Sequence, residues 1–334
     1  MLRETGHLGE PSAHAEPRRY NATGGGALRI RVRVPASTSN LGAGFDCFGL
    51  ALDLGLTVDV DTAPVAPGVE FDGPVRPPAG EPNGVLRTLQ QTLEEHGRST
   101  AALYLRIRSE IPVARGLGSS AAATLAGLLA GQLVAGVEQP DLEAALQAAV
   151  RLEGHPDNAA AALFGGFVAS AVDGGRIHRV RLTFPSAIEL IALIPAQPVE
   201  THRARGVLPD VVPLQDAVFN LQRAALQVGA LAGGDLATWA AALDDRLHQD
   251  RRLALVPGLA AAFAALRAEP ECLGTVVSGS GSTLLAFATA AGPAFGAEAV
   301  RALSRHGIEA TVRRVRPSPQ GATWTRDARP EQRS

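Results

Sequence analysis

Several short segments of the chain gather the residue types that do chemistry. The first is IPVARGLGSSAAA, Ile111 to Ala123, in which two glycines and two serines lead into an alanine-rich apolar run. Glycines let a backbone approach an anion closely, and the first N–H groups of a helix lack partners and carry the positive end of its dipole. Such a loop ahead of a helix suits phosphate, and a nucleoside triphosphate fits it; plain capping of a buried helix would use the same residues. Gly116, Gly118 and Ala121 also spell G-x-G-x-x-A. A dinucleotide fold, however, needs a second parallel strand about 20 residues on, bearing an acid for the ribose. Glu138 stands at that distance between two helical runs rich in alanine and leucine, with no strand between them.

The second segment is EGHPDNAAAALFGGF, Glu153 to Phe167, where Glu153, His155, Asp157 and Asn158 converge on a helix start. A nucleotide-dependent transferase needs a carboxylate for a divalent cation and polar groups to orient an acceptor hydroxyl, and this cluster offers both. Its alternative use is to cap the helix that Ala159 to Leu163 continues. ASTSNLGAGFDCFGLALDL, Ala36 to Leu54, carries Asn40 and Asp46 in what reads as a flexible loop that turns or binds. PVETHRARGVLP, Pro198 to Pro209, supplies Thr201, Arg203 and Arg205; HQDRRLALVPG, His248 to Gly258, supplies Arg252; and SGSGST, Ser278 to Thr283, is a second glycine loop.

One missing residue type narrows the chemistry. All 31 Lys+Arg positions are arginine. A Walker loop, a protein-kinase site, a pyridoxal Schiff base and a lysine-dependent aldolase each need a primary amine that arginine cannot replace, so all four are excluded. Charge on a bound phosphate must instead meet a metal ion, loop amides and the helix N-terminus.

The elements that must position these residues follow from periodicity and punctuation. Leu103, Leu105 and Ile107 alternate with Tyr104, Arg106 and Arg108 as in a half-buried strand that Pro112 stops, and a helix to about Gly136 follows the phosphate loop. Leu28 to Val34 reads as a strand ended by Pro35, and Leu56 to Asp61 as another. Pro64 to Pro82, rich in proline and glycine, reads as an exposed excursion or a hairpin. Asn83 caps a helix to about Gly97, and Asp141 caps one over Leu142 to Leu152. Strands at Phe167–Val172 and Ile177–Leu182 close the first half. From Ser186 onward come a strand at Ile188–Ile194, helices near Asp216–Leu231, Asp235–Arg246 and Gly258–Ala268, strands at Leu273–Val277 and Leu284–Ala288, a helix near Phe295–Arg305 and a strand at Ala310–Val315. Helices and strands interleave without a regular βαβ rhythm, which predicts an α+β fold. Two domains are expected, 28–185 and 186–316, between a disordered extension at 1–27 and a loose tail at 317–334.

Composition excludes other classes. A formal net charge of −2 without a basic run argues against a nucleic-acid partner. The longest apolar stretch, Ala121 to Val137, holds Gln132 and three glycines and reads as a buried helix, so no membrane span is expected. Residues 1–27 lack the apolar core of a signal peptide, and two cysteines, Cys47 and Cys272, make no disulfide framework; a reducing cytoplasm is expected.

VPASTSNLGAGFDCFGLAL, PVARGLGSSAAA and VVSGSGSTLLAF, in that order, resemble the three signatures of the GHMP kinase family, and EGHPDNAAAALFGGF is similar to the version found in the branch that phosphorylates L-homoserine. The resemblance runs from Ile30 to Val315. It implies a two-domain GHMP kinase-like fold, with a ribosomal protein S5 domain 2-like amino-terminal domain and a ferredoxin-like carboxy-terminal domain. It implies ATP and Mg²⁺ as cofactors, L-homoserine as acceptor in the step before threonine, and a homodimer. By the same resemblance Pro112, Val113, Ala114, Arg115, Gly116, Leu117, Gly118, Ser119, Ser120, Ala121 and Ala122 wrap the phosphates, while Ser119 or Ser120 holds Mg²⁺ with Glu153. Asp46 meets the substrate ammonium, Arg205 and Arg252 its carboxylate, and Asn40, His155 and Asn158 its remaining polar edge. Asp157, with Asn158, stands at the catalytic position; it is the carboxylate available for the hydroxyl proton, although positioning alone suffices for much phosphoryl transfer. Kinases of mevalonate, diphosphocytidyl-methylerythritol or shikimate type, or a non-catalytic sensor, would share the phosphate loop. Two departures stand out: the segment between Glu153 and Asp157 is shorter than in some relatives, and GSGST replaces the commoner GSGPT.

Overall fold

The structure is a computed structural model that describes residues 27–73, 75–76, 83–99 and 102–328. The expected extension at 1–27 lies outside the described residues except for Ala27, as do 77–82 of the proline-rich excursion and 329–334 of the tail. Two sheets carry the chain. The first contains β1 (Leu28–Asn40), β2 (Gly44–Asp61), β3 (Gly68–Asp72), β4 (Tyr104–Ser109), β5 (Phe167–Asp173), β6 (Arg176–Leu182) and, from the far end of the chain, β11 (Thr323–Ala328). Its order is β11-β1-β2-β4-β3, with β5 pairing both β2 and β6. The second sheet has the order β10-β7-β9-β8, from β7 (Glu189–Pro195), β8 (Cys272–Val277), β9 (Leu284–Ala288) and β10 (Ala310–Val315).

Helices α1 (Gly84–Glu95), α2 (Ser119–Val134), α3 (Leu142–Glu153) and α4 (Asp157–Phe164) accompany the first sheet. Asn83 and Asp141 cap α1 and α3 as expected, each accepting from an amide of the first turn. α2 is buried nearly all round, so it reads as apolar without a polar face. Gly127 is what lets α1 lie against it: a Cβ there would stand 2.0 Å from the Thr88 hydroxyl oxygen. The second half adds α5 (Thr201–Gly206), α6 (Leu214–Gly233), α7 (Leu236–Ala241), α8 (Gln249–Leu253), α9 (Leu259–Arg267) and α10 (Ala297–Ser304). The central core includes Leu190, Val276, Leu285 and Phe287 from the second sheet along with residues of the first, while Ile191, Leu193, Leu253, Leu266 and Leu303 form a separate core in the second half. Among the described residues no helix is long and apolar enough to cross a membrane.

Three readings of the sequence need correction. Pro35 does not end the first strand: β1 continues to Asn40 across a register shift at Pro35/Ala36, beyond the last β11 pair at Arg33, where the missing N–H is tolerated. The presumed flexible loop is therefore largely strand, with only 41–43 as a turn. Its polar residues can be buried because their hydroxyls are paired, Ser37 and Ser39 with Asn158 and Thr38 with Ser278. The tail from Pro317 is not loose throughout: β11 pairs antiparallel with β1 from Leu28↔Ala328 to Arg33↔Thr323, and Trp324 packs against the central core. The helix expected to reach Arg246 stops at Ala241, because the Asp245 carboxylate turns to accept the amides of Leu247, His248 and Gln249 ahead of α8.

Candidate active site

The phosphate loop sits between β4 and α2, and its shape is set by contacts with the other two signature segments. Gly118 is left-handed, φ +70°, and a Cβ there would lie 2.2 Å from Ser37 Oγ, so only glycine lets β1 pack this closely. The Ser37 amide donates to Leu117 O, the Ser278 hydroxyl to Gly116 O and the Thr283 amide to Arg115 O. The first turn of α2 consequently opens, with its free N–H groups, into a cleft lined by Asn40, Asp46, Glu153, His155, Asp157, Asn158, Arg205 and Arg252 together with Gly279 and Ser280.

Eight residues predicted from four separate sequence segments thus meet at one loop. At one edge of the loop, Glu153 Oε1 accepts from Ser120 Oγ at 2.7 Å and from Thr124 Oγ1 at 3.2 Å. A carboxylate and hydroxyl oxygens next to a phosphate loop are the hard donors a Mg²⁺ ion takes. Ser120 rather than Ser119 is the serine paired with Glu153. Thr124 was not foreseen: it lies mid-helix in an apolar run, and its spacing one turn after Ser120 is the one signal that marks it.

The wall facing the loop is built on α4 and β1. Asp157 Oδ1 accepts from His155 Nδ1 at 2.5 Å and from the Asn158 amide at 2.6 Å. Burial lowers the affinity of His155 for its proton, but the hydrogen bond and charge of Asp157 and the charge of Asp46 outweigh this and hold its pKa above the ordinary value. Asn158 is clamped between two β1 hydroxyls, accepting from Ser37 Oγ at 3.0 Å and donating to Ser39 Oγ at 2.9 Å. Asn40 accepts from the Asp46 amide at 3.0 Å and donates to Gly279 O at 3.1 Å, tying the first segment to the second glycine loop.

Two arginines face this wall. Arg205 donates through both terminal nitrogens to Asp46, at 2.9 and 2.7 Å, and that bond holds its pKa above the arginine norm. Arg252 is 4% exposed; it donates to Gly279 O at 2.7 Å and lies 3.3 Å from His248 Nδ1, while its Nε has no partner. Burial lowers its pKa to about 10, with Asp46 acting against this. It remains a cation at neutral pH. His248, itself buried, completes the arrangement: its Nε2 donates to Gly42 O at 2.9 Å, which leaves Nδ1 as the acceptor toward Arg252.

The expected phosphate wrap does not line the cleft throughout. Arg115 lines it, and its guanidinium donates to the carbonyls of Val113, Pro195 and Ala196, binding the loop to the end of β7. Ala122 is fully buried in the central core, and Pro112 does not line the cleft. Val113, with Phe71, Val75, Val85, Ile107 and Ala123, walls an adjoining apolar cavity that shares Ser119 and Ser120 with the cleft. Ser282, the departure in GSGST, donates its hydroxyl to Gln197 O at 2.6 Å, so the substitution adds a tie between glycine loop and β7 exit.

Fold and site together define a class, and comparison with known proteins gives the same one. Models of the GHMP kinases N terminal domain and the GHMP kinases C terminal domain match residues 83–166 and 222–308. The homoserine kinase of Moorella thermoacetica is 41% identical over 295 residues, covering 87% of this chain and 98% of that protein. That of Deinococcus radiodurans is 42% identical over 265 residues, 78% of this chain and 85% of that protein. The crystal structure of homoserine kinase from Cytophaga hutchinsonii superposes with a TM-score of 0.74 at 26% identity, covering 89% of this chain and 97% of that one. The chain belongs to the GHMP kinases, a family of ATP-dependent phosphotransferases. Within that family it belongs with the homoserine kinases.

Proposed function

We propose that the protein transfers the γ-phosphoryl group of ATP to the side-chain hydroxyl of L-homoserine, giving O-phospho-L-homoserine and ADP in the cytoplasm, one step before threonine. The observation that carries the reading is the wall opposite the phosphate loop: an acid, Asp46, and two arginines, Arg205 and Arg252, within one cleft. An ammonium, a carboxylate and a hydroxyl on one small molecule answer that set; mevalonate and shikimate have no ammonium to offer. The nucleoside lies in the apolar cavity beside Val113 and the triphosphate along the loop.

Phosphoryl transfer calls chiefly for alignment and charge stabilisation. Ser120, Glu153 and Thr124 are the residues that would hold Mg²⁺, whose role is to neutralise charge on the β- and γ-phosphates. The α2 amides take the remaining charge that lysine handles in other kinases. Asn158, fixed from both sides by Ser37 and Ser39, orients the acceptor hydroxyl. Asp157 receives its proton, and His155 keeps Asp157 in place. The protein acts as a homodimer in this reading. Release of ADP measured with L-homoserine, mevalonate, shikimate and no acceptor in parallel tests the assignment: turnover with homoserine alone supports it, and turnover with one of the other alcohols overturns the roles of Asp46, Arg205 and Arg252.

A further inference from the structure

The ammonium-binding acid and one carboxylate-binding arginine occupy each other. Both terminal nitrogens of Arg205 bond to both oxygens of Asp46, at 2.9 and 2.7 Å, and the two side chains are about one-third exposed, 38% and 32%, at the mouth of the cleft. The backbone commits to this geometry: Asp46 is held at φ +54° with its amide on Asn40 Oδ1. The Phe45 ring stands behind the pair, 5.8 Å from the Arg205 guanidinium carbon and 5.3 Å from that of Arg252. Arg252 differs: among the described residues it forms no ion pair, and its Nε is unpartnered.

We propose that the Asp46–Arg205 fork is a latch that only a zwitterion opens. A ligand with one charge gains Asp46 or Arg205 only by breaking the fork, which leaves the other without its bidentate partner. A ligand carrying ammonium and carboxylate on one carbon exchanges the internal pair for two external ones, and its carboxylate also reaches the free cation of Arg252. The fork thereby rejects hydroxy acids and amino alcohols, although each finds a complementary side chain in the cleft. This selectivity rests on the amino-acid acceptor reading above and adds to it a source of discrimination.

Two halves of homoserine are the probes. γ-Hydroxybutyrate lacks the ammonium, and propanolamine lacks the carboxylate; both keep the reacting hydroxyl. Acceptor KM values are measured for the wild type, Arg205→Met and Asp46→Asn, with melting temperature and ATP KM as checks on folding. Both variants lose homoserine affinity. Because the latch is gone, Arg205→Met binds propanolamine about tenfold more tightly than the wild type does, and Asp46→Asn binds γ-hydroxybutyrate about tenfold more tightly, as expected when a partly exposed ion pair no longer competes. The two variants are reciprocal, so either one that folds decides. A half-substrate KM that is unchanged or raised in the matching variant makes Asp46 and Arg205 independent subsites and overturns the latch alone. Absence of homoserine turnover in the wild type overturns the acceptor reading, and the latch with it.

Discussion

Arg252 offers a direct test of the carboxylate site, because its environment has been arranged at a cost that only an anion repays. It is almost wholly buried, meets a carbonyl and a neutral imidazole, and leaves Nε unpaired. Burial lowers its pKa to about 10 against the pull of Asp46, a penalty on its charge on the order of 3 kcal/mol. A bound carboxylate recovers energy of that order, in line with the roughly 2–5 kcal/mol lost when one partner of a buried charge pair is truncated. Arg252→Met keeps the aliphatic stem and removes the charge. The homoserine KM should rise about 100-fold, which is the equivalent of about 3 kcal/mol, while the ATP KM stays within about twofold. The variant should melt close to the wild type, since loss of the two hydrogen bonds made by one guanidinium nitrogen is offset by relief of the buried charge. Steady-state kinetics with each substrate varied at saturation of the other, and a ligand-free thermal melt, give all three quantities. An unchanged homoserine KM in a well-folded variant would refute the reasoning.

Further outcomes follow from the same geometry. Asp157→Asn should lower kcat by about 10²-fold with little change in homoserine KM, and near-normal turnover would remove Asp157 as proton acceptor. His155 has a folded pKa above its ordinary 6.5. Its protonated form therefore stabilises the fold fully below pH 6.5, and the contribution fades as pH rises through the folded value. Urea melts of wild type and His155→Gln should accordingly differ most below pH 6.5 and converge as pH rises above it; a gap that widens with pH would contradict the sign. Thr124→Val removes one oxygen from the Glu153 cluster and should raise the Mg²⁺ concentration for half-maximal activity several-fold, with EDTA abolishing turnover of both forms; identical Mg²⁺ titrations would exclude Thr124 from the metal site.

Much of this site was legible because its signals are local. Glycine and serine ahead of an apolar run marked the phosphate loop, and Asn83 and Asp141 marked helix starts by capping them. What escaped depended on partners distant in sequence. Ser37, Thr38 and Ser39 look like loop residues until Asn158 and Ser278 are brought to them. β11 is a six-residue strand whose main apolar residue is Trp324, and its pairing with Leu28–Arg33 spans nearly the whole chain. The three carbonyls that the Arg115 guanidinium meets, two of them at the end of β7, could not be read from its own segment. His248 drew no attention as a lone histidine in a polar helix start; only the fold sets it between Gly42 O and Arg252.

The central claim is that one phosphoryl group passes from ATP to the hydroxyl of homoserine. Phosphorus NMR of purified protein with ATP, Mg²⁺ and L-homoserine reads that transfer directly. The account predicts a new phosphomonoester signal, coupled to the methylene protons of the homoserine side chain and growing in step with ADP. Orthophosphate with ADP and no ester would show hydrolysis without acceptor, and an unchanged ATP spectrum would show no transfer; either contradicts it.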